Sequence, residues 1–291
     1  MKPSTFQYHL PATRDELFAL LSGLDDARVI AGGQSLVPMM NLRIAAPEHL
    51  IDLNGLLELD GIELQGDRLI VGAMTRQRAA ERSPLVAEAC PLLAEALTHV
   101  GFQQTRNRGT IGGSIAHMDP TAELPVVAQA LDAELVIESA RGERLLPFNE
   151  LSAGYLATQI EPDEVLVRIA FPCWPKGHGW AFDEVTRRGE SFSIVSVAAL
   201  AELAPNGAIV RAAIAVGGLS AAPLRLAEAE AALQGKLADE KAIAAASLCA
   251  SELPADGDHF APAEFKRHLA RVLVGRTLRR AVGRARGVLH G

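Results

Sequence analysis

Apolar positions recur along this chain with two periods. Thr13 opens T-x-x-E with Glu16, a capping box, and Leu17, Leu20 and Leu21 then share one helical face that ends at Gly23. Residues 6–10, Arg28–Ile30 and His49–Leu53 are short runs bounded by turn residues and read as strands. Leu36–Leu42 reads as a short helix, since Pro38 is tolerated in a first turn. The first 55 residues therefore predict a small β-α-β-loop-α-β unit. Gly61–Gln65 and Arg68–Gly72 flank Gly66-Asp67 as a hairpin. Ser83-Pro84 and Cys90-Pro91 mark helix starts, and Leu92, Leu93, Ala96, Leu97 and Val100 give the second helix an apolar face that stops at Gly101.

A polar lead-in, Gln103–Gly109, precedes a tight loop, Thr110–Ser114. A second apolar helix follows Pro120 and runs to about Leu131, and strands at Leu135–Glu138 and Glu143–Leu146 flank Arg141-Gly142. Two prolines and two glycines within Phe171–Gly179 place a boundary there. Beyond it come strands at Trp180–Arg187, Ile194–Leu203 and Ile209–Val216, helices near 225–234 and 239–252, and a last helix from about Pro262 to Arg284.

The 291 residues suit about two domains of roughly 100–200 residues each. A net charge of −7 argues against general binding to nucleic acid or anionic membranes, and 9 Phe, 2 Tyr and 2 Trp are too few for a base-stacking surface. Cys90, Cys173 and Cys249 are odd in number and widely spaced, which disfavours a disulfide framework or a cluster-binding set and points to the cytoplasm. No signal peptide or membrane-spanning run is read from the chain. Residues 265–291 carry eight basic residues and no acid. They are expected to form a solvated face opposite Leu269, Val272, Leu273, Leu278 and Val282, with an acidic partner subunit as the alternative.

G-x-G-x-x-G, the P-loop pattern, H-E-x-x-H and G-x-S-x-G are all missing, and the histidines show no metal-ligand spacing. What remains is a pair of Gly-Gly segments, Ala31–Ser35 and Thr110–Ser114. Glycines let backbone approach a ligand closely, and successive amides can cradle an anion. One such segment is most simply a turn; two fit a diphosphate held from both sides.

These residues resemble a family. Ala31-Gly32-Gly33-Gln34-Ser35-Leu36-Val37-Pro38-Met39-Met40-Asn41-Leu42-Arg43, with Ala46–Leu53, is similar to the first flavin loop of the FAD-binding medium subunits of molybdenum hydroxylases, such as carbon monoxide and xanthine dehydrogenases. Arg106–Ala116, Asp119-Pro120 and Thr121–Pro125 match as well, and the likeness spans nearly the whole chain. It implies an α+β fold. A two-subdomain FAD-binding region of the vanillyl-alcohol-oxidase (PCMH) type, residues 1–55 and 56–175, precedes a C-terminal domain of antiparallel sheet plus helices, residues 176–291.

By resemblance, backbone amides of Ile30, Ala31, Gly32, Gly33, Gln34, Ser35 and Leu36 and of Thr110, Ile111, Gly112, Gly113 and Ser114 hold the FAD diphosphate. The Thr110 and Ser114 hydroxyls add hydrogen bonds. Glu123 stands where an acidic residue meets the sugar-alcohol portion of the cofactor; alternatively it is a first-turn carboxylate on the helix dipole. Leu166 falls where an apolar residue packs on adenine, or else is a strand core residue. Phe192 covers the flavin edge or starts the core of the strand at Ile194. Glu190 and Ser191 depart from the family's usual Gly and Asp. His117 is an acid–base candidate or a polar lining group, and no catalytic or metal-ligating residue is assigned.

The resemblance implies a large molybdopterin-binding subunit, a small [2Fe-2S] subunit and a dimer of heterotrimers. In such a complex FAD receives electrons from the clusters and passes them to an external acceptor. Two alternatives stay open here: a stand-alone FAD oxidoreductase of the vanillyl-alcohol-oxidase type, and a non-catalytic nucleotide-binding subunit.

Overall fold

The computed structural model describes residues 2–189 and 191–287. Its first unit contains β1 (Gln7–His9), α1 (Arg14–Gly23), β2 (Ala27–Ile30), α2 (Leu36–Asn41) and β3 (His49–Asp52). Thr13 caps α1 by accepting from the Glu16 amide at 3.2 Å, while the Glu16 carboxylate accepts from the Ala12 amide. β3 lies between β1 and β2 and runs parallel to both. Leu17, Phe18 and Leu21 of α1 are buried with Ile51, Leu53, Val136, Val165 and Val167, which fastens this unit to one face of the next sheet.

The second unit begins with the antiparallel hairpin β4 (Ile62–Gln65) and β5 (Arg68–Gly72), turned by Gly66 at φ +60°. Six short helices follow: α3 (Gln77–Glu81), α4 (Pro84–Ala89), α5 (Pro91–Leu97), α6 (Gln103–Arg108), α7 (Ile111–His117) and α8 (Glu123–Ala130). Then come β6 (Glu134–Ser139), β7 (Gly142–Pro147), the small hairpin β8 (Ser152–Gly154) and β9 (Ala157–Thr158), and β10 (Val165–Pro172). The antiparallel sheet has the order β4-β5-β10-β6-β7. β10 buries both its faces: Val165 and Val167 meet the first unit, while Leu166, Ile169 and Phe171 join the helices in the largest core, the alternation shifting at a bulge between Leu166 and Arg168.

The third unit is an antiparallel sheet of β11 (Gly179–Thr186), β12 (Ser193–Leu203), β13 (Ile209–Gly217) and β14 (Leu224–Arg225), followed by α9 (Ala227–Leu233), α10 (Glu240–Cys249) and α11 (Ala263–Ala285). One face, with Phe182, Ala198, Leu200, Ala213 and Ala215, shares the core of the second unit. The other, with Val195, Val197, Ala199, Ile214 and Val216, is covered by the last three helices. Gly179 allows α11 to touch the sheet, because a Cβ there would fall 1.7 Å from the Ala281 carbonyl oxygen.

Three readings of the sequence change. Gln103–Arg108, read as a polar lead-in, is helix α6: the Arg106 guanidinium is buried, pairs with Glu81 and donates to the Val100 and Gly101 carbonyls at 2.9 and 2.7 Å. Thr110–Ser114 is the start of α7 rather than a loop. Its Thr110 Oγ1 accepts from the Gly113 amide, and Gly112 packs so closely on Ala73 that a Cβ would lie 2.4 Å from the Ala73 Cβ.

The third change concerns the basic face of α11, most of which is engaged within the chain. Arg280 and Arg284 both pair with Glu95 of α5 and donate to the carbonyls of Phe182 and Trp180. Arg276 pairs with Asp183 and Arg279 with Glu240. Val272, expected on the apolar face, is 48% exposed.

Candidate functional site

β2 ends at Ile30, and the chain then turns through Ala31–Ser35 into α2. Gly33 takes φ +73°, a left-handed conformation open to glycine. The amides of Gly32, Gly33, Gln34, Ser35 and Leu36 donate to no acceptor among the described residues, although the carbonyls of Gly33 and Ser35 already accept from α2. Gln34 and Ser35 are exposed and the other three half-buried. Five successive free donors at the start of a helix are the kind of group that can cradle an anion.

The second Gly-Gly segment behaves differently. Ile111 and Gly112 donate to the carbonyls of Thr75 and Ala73, Gly113 to Thr110 Oγ1 and Ser114 to the Thr110 carbonyl. Those four amides are already used, so the diphosphate contacts expected from them have no free donor there. What this segment offers is the Thr110 and Ser114 hydroxyls and a wall without side chains.

The two segments touch. A Cβ on Gly32 would sit 2.2 Å from the Arg108 carbonyl oxygen and 2.7 Å from Gly109 Cα, and one on Gly113 would sit 3.6 Å from the Ala31 Cβ. Asn54 donates to the Ala31 carbonyl at 3.0 Å, and Arg76 donates to both Asn54 and the Arg108 carbonyl. Burial and the neighbouring Arg108 guanidinium lower the Arg76 pKa from its ordinary value. The Arg76 guanidinium therefore stands at the junction of the two segments, with the Arg108 charge close enough to act on it. Neither Arg76 nor Asn54 follows from the motif pattern, because each reaches the junction from a different element.

Glu123 opens α8 and is buried. Burial chiefly, and then the charge of Glu184, push its carboxyl up to about 8, so it is protonated at neutral pH. Glu184 of β11 has a nearly buried side chain; Oε1 lies 3.4 Å from His99 Nδ1, and Oε2 is buried with no partner. Ser196, opposite Glu184 in the β11–β12 ladder, also has an unpartnered buried hydroxyl, as does Ser193.

The remaining candidates lie apart from these clusters or at their edge. Leu166 is 4% exposed and sits in the core with Ile137 opposite it, the plainer of its two readings. Phe192 is 72% exposed and starts no core. Ser191 bonds back to Arg188, and Glu190 lies outside the described residues. His117 ends α7, half-buried, just before Met118 at φ +51°. Among the described residues no group of His, Cys, Asp and Glu has the makings of a metal site, and no helix is long and apolar enough to cross a membrane.

The chain is similar to known proteins along nearly its whole length. Residues 4–174 match the FAD binding domain in molybdopterin dehydrogenase, and residues 180–281 match the CO dehydrogenase flavoprotein C-terminal domain. The chain is 39% identical over 289 residues to the 6-hydroxypseudooxynicotine dehydrogenase complex subunit alpha of Paenarthrobacter nicotinovorans, covering 98% of this chain and 97% of that one. It is 37% identical to the carbon monoxide dehydrogenase medium chain of Hydrogenophaga pseudoflava, covering 98% and 99%. A solved carbon monoxide dehydrogenase from the same organism superimposes with a TM-score of 0.94 over 98% of this chain and 99% of that one, at 39% identity.

The residues present fit the cofactor this family carries: free amides and the Arg76 guanidinium at their junction suit a diphosphate, and a buried carboxyl suits hydroxyls that need an acceptor. The chain belongs to the FAD-binding medium subunits of the molybdenum hydroxylase family and is the subunit of an FAD-dependent oxidoreductase.

Proposed function

We propose that this chain is the electron-transfer subunit of a cytoplasmic molybdenum hydroxylase complex. Bound FAD would supply the redox chemistry, and the chain would hold it where electrons from the [2Fe-2S] clusters of a small partner subunit can pass on to an external acceptor. Substrate is hydroxylated on a large molybdopterin-binding subunit, and the assembly is a dimer of heterotrimers. The observation that carries the reading is the run of free amides from Gly32 to Leu36, packed against the glycine wall of α7.

In this reading the Gly32–Leu36 amides bind the diphosphate, with Arg76 and Arg108 supplying positive charge nearby. The Thr110 and Ser114 hydroxyls add donors. Glu123 accepts from the sugar-alcohol hydroxyls, and exposed Phe192 shields the flavin edge when the cofactor is bound. Residues 1–55 and 56–175 act together as a PCMH-type flavin region, and residues 176–291 close it from the other side.

Purified chain carrying FAD tests the electron-transfer role. Organic substrates of molybdenum hydroxylases are expected to leave its flavin oxidised until the partner subunits are added. Flavin reduced by such a substrate without partners assigns the chain to the stand-alone oxidoreductases instead.

A further inference from the structure

Two loops from different units meet beside the candidate site. The hairpin β8–β9 belongs to the second unit, and its strand β9 packs against α7, the helix capped by Thr110 that carries Ser114 and His117. The hairpin is short, pairing Ser152 with Thr158 and Gly154 with Ala157, and its turn residues Tyr155 and Leu156 are exposed. Leu156 takes φ +54°, where glycine or asparagine is usual, and strain of this kind clusters at clamps and switches. A two-stranded hairpin of this size holds its own shape only weakly. Its tip is nevertheless tied down: the Tyr155 hydroxyl donates to the Asp256 carboxylate, on the loop of residues 254–261 in the third unit.

The loop that receives Tyr155 is fixed from within. The Asp256 amide donates to the Leu219 carbonyl at 2.7 Å, and Ala261 is buried. Lys266 of α11, only 5% exposed, donates to the Gly218 carbonyl at 2.9 Å and pairs with Asp258 at 2.8 Å. A buried ammonium deprived of those partners is costly, so loop and helix stay together. Gly218 in turn donates to the Pro120 carbonyl, just ahead of Glu123. Phe260 lies under the Arg187 guanidinium, 5.5 Å away, on the stretch that leads to Phe192. The Tyr155–Asp256 contact thus joins two bodies that each adjoin the candidate site, α7 on one side and Glu123 with the Phe192 stretch on the other. We propose that hairpin β8–β9 is an arm and Asp256 its catch, closing the cofactor site from the side of the third unit and gating the entry and exit of FAD. This role rests on the FAD reading above. The two sides differ in strength as a gate requires: a buried ammonium pins the catch, while one exposed hydroxyl holds the arm.

The test follows flavin fluorescence as FAD leaves the loaded chain on dilution and as it binds the stripped chain. Tyr155→Phe and Asp256→Ala each remove a contact between exposed side chains, so FAD-free melting curves are expected to match wild type. A surface hydrogen bond of this kind weights an opening equilibrium about threefold to tenfold. Release and association are both expected to speed up by that factor in each variant, leaving the dissociation constant nearly unchanged, because a loosened gate acts on both directions alike. The double variant is expected to be no faster than either single one, since both lose the same contact. Release and association equal to wild type in Tyr155→Phe overturn the gate. Faster release with unchanged association also overturns it, making Tyr155 a direct contact of the cofactor, and so does a fall in FAD-free melting temperature in step with the rates, which makes the contact a structural tie. Each of these results leaves the FAD reading intact; a chain that binds no FAD overturns both.

Discussion

Glu123→Gln removes a buried carboxyl while keeping its shape, and the consequence for stability can be worked through. The Glu123 carboxyl rises from an ordinary value of 4.5 to about 8 in the folded chain. Between those two values the unfolded chain has lost the proton and the folded chain has kept it. The folded state therefore binds more protons, and stability falls as pH rises through this window. At about 1.4 kcal/mol per pH unit, the loss in FAD-free protein reaches at most about 5 kcal/mol by pH 8.

Glutamine does not titrate, so the variant is spared that loss. Other titrating groups contribute alike to both proteins and cancel in the comparison. Thermal melts of FAD-stripped wild type and Glu123→Gln are expected to agree near pH 4.5 and to separate progressively towards pH 8.5, with the variant higher by at most roughly 10–20 °C at about 2–4 °C per kcal/mol. The same variant is expected to bind FAD more weakly, so that the residue trades stability for cofactor binding. Parallel melting curves across the whole range refute the reasoning.

Gly32→Ala places a methyl group 2.2 Å from the Arg108 carbonyl oxygen, and backbone must move to admit it. Overpacking of this kind costs about 1–3 kcal/mol, and the displaced loop is expected to lose FAD on gel filtration; full retention of FAD shows that the two segments need not touch. Glu95→Gln removes the shared partner of Arg280 and Arg284, which ties α11 to α5 across the units. The pair is only partly buried, so a loss of about 1–3 kcal/mol in urea unfolding is expected, and no change would mean that the apolar core alone holds the units together.

Much of the framework is legible in the amino-acid sequence because it is set locally. The Thr13 cap, the Pro84 and Pro91 helix starts and the Gly66 turn each follow from neighbouring residues. What is hidden depends on distant partners. Residues 152–172 announce a strand only through the core reading of Leu166, yet β10 is the central strand; both its faces are buried, so its apolar residues show no alternation to read. Thr110–Ser114 reads as a glycine loop because its helix is secured by carbonyls of Ala73 and Thr75, more than thirty residues earlier.

The basic stretch of α11 gives a similar lesson. Its charges look unpaired along the sequence, yet Arg276, Arg279, Arg280 and Arg284 find acidic partners on β11, α10 and α5. In the candidate site, the Gly-Gly segments and Glu123 stand out by motif. Arg76, Asn54, His99 and Glu184 do not, since only the packed structure brings them to it.

Amide hydrogen exchange, followed residue by residue with and without FAD, tests the assignment of the cofactor site most directly. The free amides of Gly32, Gly33, Gln34, Ser35 and Leu36 are expected to exchange fast in the FAD-free chain and to become protected when FAD binds. Those of Ile111, Gly112, Gly113 and Ser114, already hydrogen-bonded, are expected to change little. Protection confined to 111–114, with 32–36 still exchanging fast in the presence of saturating FAD, contradicts the placement of the diphosphate.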